Sequence, residues 1–295
     1  MAFPISAALT VNSCASILDE DFTLMKMPEE LQFTVNARLP QKRTDARLDG
    51  KVCVLTGATS GVGHAAAQRL AQSGAKLVLV CRNLAKCIHV QQELKDQYQA
   101  DVDFIQADFA SFDQVRNAAA AILETYPRID ILINNAGVHY THRSLTDEGI
   151  ETVFNVNHLS SFLFTRLLLA RILANAPARI LQINSQGHRF GGLDLNDLNW
   201  NRRRYRGLQG YGASKVAQLL TVWELAEQLE GSGVTINAMH PGAVRTNIGM
   251  NNGLLYRLYQ RFLIWPIVTD PSISGEAIYY LVAAPAIAHV NGRFF

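Results

Sequence analysis

From Lys51 to the last residue, short apolar runs alternate with longer segments of helical period, and this alternation limits the fold more than any single residue does. KVCVLTG (51–57), KLVLVC (76–81), VDFIQAD (102–108), IDILINNAG (129–137), ARILQINS (178–185) and GVTINAMHPG (233–242) read as strands. Helical stretches lie between them at 65–74, 87–99, 111–126, 147–174 and 211–231, with a last one near 274–284, and NGRFF (291–295) reads as a final strand. Connections of that length join parallel strands, and right-handed crossovers cover both faces of the sheet. The expectation is a single α/β domain: a doubly wound, mostly parallel sheet of about seven strands with helices on both faces. Residues 1–50 do not share the pattern. They contain DED, KMPEE and LPQKRTDARLDG, rich in charges and turn formers, and read as an N-terminal extension leading into a domain at 51–295.

Composition removes several classes of function. Apolar residues make up 48% and charged residues 18%, enough to build a core and too apolar for global disorder. Lys and Arg number 27 against 25 Asp and Glu, so the net charge of +2 gives no electrostatic footprint for nucleic acid. Four cysteines and eight histidines lack the spacing of a disulfide framework or a metal site, so no metal is expected. Cys53 and Cys81 fall inside apolar strands, which fits a reducing, cytoplasmic compartment. No stretch reaches the ~20 apolar residues of a spanning helix. The first eighteen residues lack the basic start of a secretory signal.

In a doubly wound sheet, ligands bind where strands end. The first strand ends in Thr56-Gly57-Ala58-Thr59-Ser60-Gly61-Val62-Gly63. Glycines there let the backbone turn and approach a pyrophosphate resting on the following helix N-terminus; a mere tight turn is the bland alternative. After the second strand stands Arg82, where an NAD-selective site would place a carboxylate. A guanidinium suits a 2′-phosphate, so NADP(H) is expected over NAD(H), the alternative being a solvated loop charge. Asp108, after the third strand, is either an acceptor for the adenine amino group or an acid at a helix start. Asn134-Asn135-Ala136-Gly137, after the fourth, either admits the cofactor ribose or forms an Asx turn.

Tyr211 and Lys215 stand four apart at a helix start and so share one face. With nine tyrosines and seven lysines in 295 residues, chance supplies about 0.2 such pairs, so the motif alone is weak. The usage of Lys is stronger evidence. Beyond Asp96 the chain has fifteen arginines and a single lysine, Lys215. An ammonium is a compact charge that can bond ribose hydroxyls and draw a neighbouring phenol's pKa down toward working pH. Carbonyl reduction puts negative charge on oxygen and needs a proton donor and a hydrogen-bond donor in place. Tyr211 fits the first need. Ser185, ending the fifth strand, fits the second, unless it is a turn serine. Asn157, an amide inside the apolar helix FNVNHLSSF, is a candidate to position a water that relays protons to Lys215, or else it satisfies a helix kink.

Taken together, TGATSGVG, NNAG, the helical Asn157, Ser185, Tyr211-Gly-Ala-Ser-Lys215 and Pro241-Gly242 stand in the order and spacing of the short-chain dehydrogenase/reductase family, which the chain resembles over residues 50–295. LVCRN, FNVNHL, ILQINSQGHRFG, the insert ending WNRRRYRGLQGYGASK, and HPGAVRTNI resemble its retinol-dehydrogenase-like branch. The resemblance implies a Ser-Tyr-Lys triad with a helper Asn. It also implies an NADP-binding glycine loop (Gly57, Thr59, Ser60, Gly61, Val62, Gly63), with Pro241, Gly242 and Thr246 near the nicotinamide amide. One departure is INSQ, where the family often has two serines, so that Asn184 is the variant beside Ser185. Two others are that no N-terminal membrane helix is visible and that many members continue past the equivalent of NGRFF.

The segment 244–272 reads as a substrate-side lid. Within it Leu254, Leu255, Leu258, Phe262 and Trp265 recur at helical spacing, with Arg257 and Arg261 between them. A lid packed on the core is one reading, and a lid that also touches a membrane surface is the other. The expected partners are a small-molecule carbonyl or alcohol, with a second copy of the chain as a further candidate. The expected activity is hydride transfer between NADP(H) and an apolar aldehyde, ketone or alcohol. Two alternatives stand beside it: a non-catalytic dinucleotide sensor on the same fold, and an epimerase or dehydratase of the extended type.

Overall fold

The structure is a computed structural model that describes residues 40–246, 248–250, 252–259, 261, 262, 265 and 268–295. Most of the N-terminal extension and seven positions of the 244–272 lid lie outside the described residues, and so does the side chain of Leu255. Residues Gln41–Phe295 form one compact unit.

Six strands make the sheet: β1 (Val52–Thr56), β2 (Lys76–Cys81), β3 (Val102–Gln106), β4 (Ile131–Asn134), β5 (Ala178–Ile183) and β6 (Val234–Met239). All neighbours are parallel, in the order β3-β2-β1-β4-β5-β6. The expected seventh strand is reduced to an edge pairing. Ala238 bridges Phe294, and the amides of Ala238 and His240 donate to the carbonyls of Arg293 and Phe295.

Helices α1 (Gly61–Gln72), α2 (Leu84–Tyr98) and α3 (Phe112–Thr125) follow the first three strands. The fourth crossover differs from expectation. The predicted helix over 147–174 starts only at α4 (Thr152–Phe154), passes through a π-helical turn at Asn155–Leu159, and continues as α5 (Ser160–Ala174). Glu151 ends the preceding loop by accepting from the amides of Val153 and Phe154, which is why the helix begins there. Next come α6 (Gly207–Gln228), which starts four residues before Tyr211, then the short α7 (Leu254–Tyr259) and α8 (Ser272–Ala283).

Strand alternation sorts the core onto two faces. Val52, Val54, Val78, Val80, Leu132 and Ile180 face Val115, Phe164, Leu168 and Val222 of α3, α5 and α6. Cys53, Leu55, Leu77, Leu79 and Ile133 face Leu70, Leu94, Ile278 and Tyr279 of α1, α2 and α8. Residues 41–50, assigned to the extension from sequence, lie on this second face. Leu48 is buried there, and the Tyr279 hydroxyl donates to the carbonyl of Ala46. Between β1 and β4 the chain reverses its direction of travel across the sheet. That switch point opens a crevice at the carboxyl ends of the strands.

Candidate active site

The crevice is a cleft of about 880 Å³ lined by residues from the ends of β1, β2, β4, β5 and β6 and from the loops after β3 and β6. At its floor β1 and β4 are laced together. The Thr56 hydroxyl accepts from the amides of Asn135 and Ala136, both at 2.9 Å. The Asn135 amide donates to the carbonyls of Thr56 and Gly57. Gly57 and Gly61 have φ of +72° and +54°, a region that favours glycine. Gly63 is restricted by space instead: a Cβ there would lie 2.3 Å from the Gly57 carbonyl oxygen and 2.4 Å from the Asn135 amide nitrogen. Ser60 stands at the N-cap of α1 with extended backbone and makes no side-chain cap. The first-turn N–H groups of α1 therefore remain available to an anion.

Arg82 follows β2, and its guanidinium lies 3.8 Å from the Asp108 carboxylate, with both groups partly exposed. Asp108 also accepts from the Ala110 amide at 2.9 Å, so it pairs with Arg82 and closes the turn ahead of α3 at once. Asn83 caps α2 by accepting from the Lys86 amide, and Lys86 lines the same end of the cleft. Lys86 was not singled out from sequence. Its signal was its position one helical turn beyond Arg82.

The other end gathers the polar residues of β5 and α6. Ser185 accepts from the Gly187 amide at 3.0 Å. Gly187 allows the turn to meet Tyr211, since a Cβ there would lie 2.6 Å from the Tyr211 ring. Tyr211 and Lys215 share one face of α6, with the ammonium 5.5 Å from the ring centroid. Burial pushes the Tyr211 phenol up to about 12, and the Ser185 hydroxyl works against it. Burial pushes Lys215 down to about 7. In this cleft burial, rather than the expected pull of Lys215, sets the direction for Tyr211, because each group has lost most of its water.

Asn157 sits in the π-helical turn, behind the cleft wall. Its side-chain oxygen accepts from the Val138 amide, and its nitrogen donates to the Val138 carbonyl and the Ser214 hydroxyl. Both amide hydrogens are thus committed to protein atoms. The side chain ties the loop after β4 to α6, while its backbone carbonyl accepts from Gln218. Pro241, Gly242 and Thr246 also line the cleft. The Ser274 hydroxyl holds the Pro241 carbonyl, and Thr246 lies over Gly61. His139 is a residue the sequence reading missed. It is buried edge-on to Tyr211 at 5.5 Å, with its Nδ1 3.4 Å from the Tyr256 hydroxyl. Among the described residues no cluster of three or more His, Cys, Asp or Glu is arranged to hold a metal.

Apart from Asn157, every residue expected at the glycine loop, at Arg82 and Asp108, in the Asn135–Gly137 loop, in the Ser-Tyr-Lys set and after β6 lines this one cleft. Comparison with known proteins leads to the same place. The sequence pattern of the short chain dehydrogenase family matches residues 51–254. Retinol dehydrogenase 13 of Homo sapiens is 36% identical over 297 residues, covering 99% of this chain and 85% of that one. Among solved structures, a short chain dehydrogenase from Burkholderia cenocepacia in complex with NADP matches with a TM-score of 0.67 at 25% identity, over 84% of this chain and 96% of that one. A 3-ketoacyl-(acyl-carrier-protein) reductase from Brucella melitensis complexed with NADH matches with a TM-score of 0.64 at 27% identity, over 84% and 96%. With its strand order, its cleft and the extent of these matches, the chain belongs to the short-chain dehydrogenase family, in the retinol-dehydrogenase-like branch, and is an oxidoreductase by family.

Proposed function

We propose that the protein is an NADP(H)-dependent oxidoreductase that interconverts an apolar aldehyde or ketone and its alcohol, with Tyr211 as general acid and base. The observation that carries this reading is the convergence of Ser185, Tyr211 and Lys215 in one cleft with a glycine-rich loop on a helix N-terminus. The residues fit a dinucleotide: Gly57 and Gly63 pack too closely on neighbouring atoms to carry a Cβ, which keeps the loop tight at the start of α1, where Ser60 makes no side-chain cap. Gly57, Gly61 and Gly63 would hold the pyrophosphate and Lys215 a ribose. Arg82, more than half exposed beside Lys86, favours a 2′-phosphate. The nicotinamide, when bound, supplies or accepts the hydride.

The chain's own residues then manage charge and protons. The Ser185 hydroxyl donates to the substrate oxygen. Tyr211 gives its proton to that oxygen in reduction and takes it back in oxidation. Lys215 stabilises the phenolate that results. Leu254, Leu258 and Phe262 are exposed by 63%, 42% and 67% at the rim, with Arg257 and Arg261 also exposed. Such a rim favours an apolar substrate and contact with an anionic lipid surface. Exposed Phe162 on α5 and Leu220 and Trp223 on α6 favour self-association.

Fluorescence titration with NADPH and with NADH tests the cofactor, and NADPH consumption with aldehydes and ketones tests the reaction. The expected result is saturable binding that favours NADPH, with Tyr211→Phe lowering kcat by about 10³ while cofactor affinity stays within about twofold. Turnover surviving in Tyr211→Phe would remove the acid/base assignment. Preference for NADH would remove the role given to Arg82.

A further inference from the structure

Lys215 is the most deeply buried of the described lysines, 4% exposed, and none of the ion pairs among the described residues involves it. A buried ammonium must be held by something. Here the holders are neutral. Its Nζ donates to the Ile183 carbonyl at 3.1 Å and to the Gln218 side-chain oxygen at 3.0 Å. Gln218 lies three residues beyond Lys215 on α6, on the adjoining turn of the same face, and is 2% exposed. Its nitrogen donates to the backbone carbonyl of Asn157 in the π-helical turn. The amide orientation has one consistent solution: reversed, it would set NH₂ against an ammonium and a carbonyl against a carbonyl.

Asn184 completes the arrangement. Its nitrogen donates to the same Gln218 oxygen at 3.1 Å and to the Lys215 carbonyl at 3.0 Å, while its oxygen accepts from the Ser185 amide at 2.7 Å. Two residues that no motif explained, the variant Asn184 and the helical Gln218, therefore interlock around Lys215. Three hydrogens sit on the ammonium. Two are committed to Ile183 and Gln218, which leaves one for the cleft that Lys215 lines.

We infer that Gln218 and Asn184 are positioning residues: the Gln218 amide, steadied by Asn184, clamps the Lys215 ammonium and directs its remaining N–H into the cleft. The inference rests on the activity proposed above and assigns a device within it. Gln218 also links the Asn157 carbonyl to the Lys215 ammonium. An amide neither takes up nor releases a proton near neutral pH. The link therefore holds the ammonium without itself taking up or releasing a proton.

Several titratable groups stand around Lys215, His188 beside Ser185 among them. Tyr211 on its own helix is pushed up to about 12. His240 at the end of β6 is pushed down to about 4, chiefly by burial, with His188 and Lys215 adding to the effect. His139, on the Tyr211 ring, is lowered by burial. His158 in the π-helical turn is lowered to about 4 by burial; its ring lies tilted against Phe154 and stacked with Phe162. Lys215 itself is pushed down to about 7 by burial, and its own NMR signal separates it from the histidines.

The test reads the ammonium directly. The chain has seven lysines, so ¹⁵N-lysine labelling gives a simple side-chain NMR spectrum in which Lys215→Met assigns the buried signal. Gln218→Met keeps the length and removes the amide. The expected result is a Lys215 midpoint lower by about one unit, which cuts the charged fraction at pH 7 about fivefold. kcat at that pH should fall in proportion, with a matching shift of the pH–rate profile. Gln218→Glu keeps an acceptor in the same place and should raise the midpoint by about one unit or more. This second variant decides the matter if Gln218→Met does not fold. Midpoints unmoved in the variants that fold would overturn the clamp while leaving the Tyr211 assignment intact. Conversely, a chain that reduces no carbonyl would fail the proposed activity, and the NMR midpoints would still decide the clamp.

Discussion

Lys215 shows how a single side chain trades stability for chemistry. The unfolded chain binds a proton there with an ordinary midpoint of 10.5, and the folded chain only below about 7. Between those values the unfolded state holds more protons, so wild-type stability rises with pH across that window, and below it the full cost of burying the charge is present. Lys215→Met should therefore melt a few degrees above wild type at pH 6, each kcal/mol being worth about 2–4 °C in a domain of this size. The gap should narrow steadily by pH 9 in calorimetric scans. A gap independent of pH would mean that the buried side chain keeps its proton as the unfolded chain does, with no lowered midpoint. The Tyr211–Lys215 pair was legible in the sequence because helical spacing is local and because Lys is so scarce beyond Asp96. Gln218 was not legible. A glutamine on a helix face carries no sign of whether it meets water or an ammonium until α6 is laid against β5 and the π-helical turn.

Among the elements, the β1–α1 loop and the fourth crossover behave differently. The glycines of the loop were readable because their spacing reports a steric need that holds wherever strand, turn and helix meet. Gly63 is the tightest of the three. Gly63→Ala should cost about 1–3 kcal/mol by overpacking against the Gly57 carbonyl and the Asn135 amide. Dinucleotide affinity should fall at least about tenfold, because the loop must open to admit the methyl group. Thermal melting and fluorescence titration of the same sample check both; unchanged affinity would mean that the loop is not the cradle. The fourth crossover was read as one helix over 147–174. Apolar periodicity cannot see its true start, which the Glu151 cap decides. Nor can it see the extra residue per turn at Asn155–Leu159, which turns Asn155 toward the Phe109 carbonyl and Asn157 toward Val138 and Ser214.

Across the molecule, the sheet order β3-β2-β1-β4-β5-β6 brings Gly57, Ser185 and Pro241 into one cleft although they are far apart in the chain. The same order puts α7 at the cleft rim, with Asn252 ahead of it accepting from the Thr141 amide and donating to the His139 carbonyl. If that rim meets lipid, the protein should co-sediment with phosphatidylserine vesicles at low salt. The bound fraction should then drop at least about threefold in Leu258→Ser/Phe262→Ser, and drop again as salt screens the arginines. No sedimentation of the wild type would leave the apolar rim to substrate alone. Among the described residues no helix is long and apolar enough to cross a membrane.

The sequence alone determined the elements and the class of fold, because strand alternation, helical period and the steric demand for glycine are short-range properties written residue by residue. It also marked the chemistry at strand ends, since a parallel sheet leaves few other places for Arg82, Ser185 or Tyr211 to act. Only the tertiary structure decided which strands are neighbours, that the last residues pair with β6 without building a full strand, and that Gln218, bonded to Asn157 and Asn184, meets the Lys215 ammonium. Those outcomes depend on long-range burial. A polar side chain takes its meaning from the partner that replaces its lost water, and that partner is chosen only when the elements close over it.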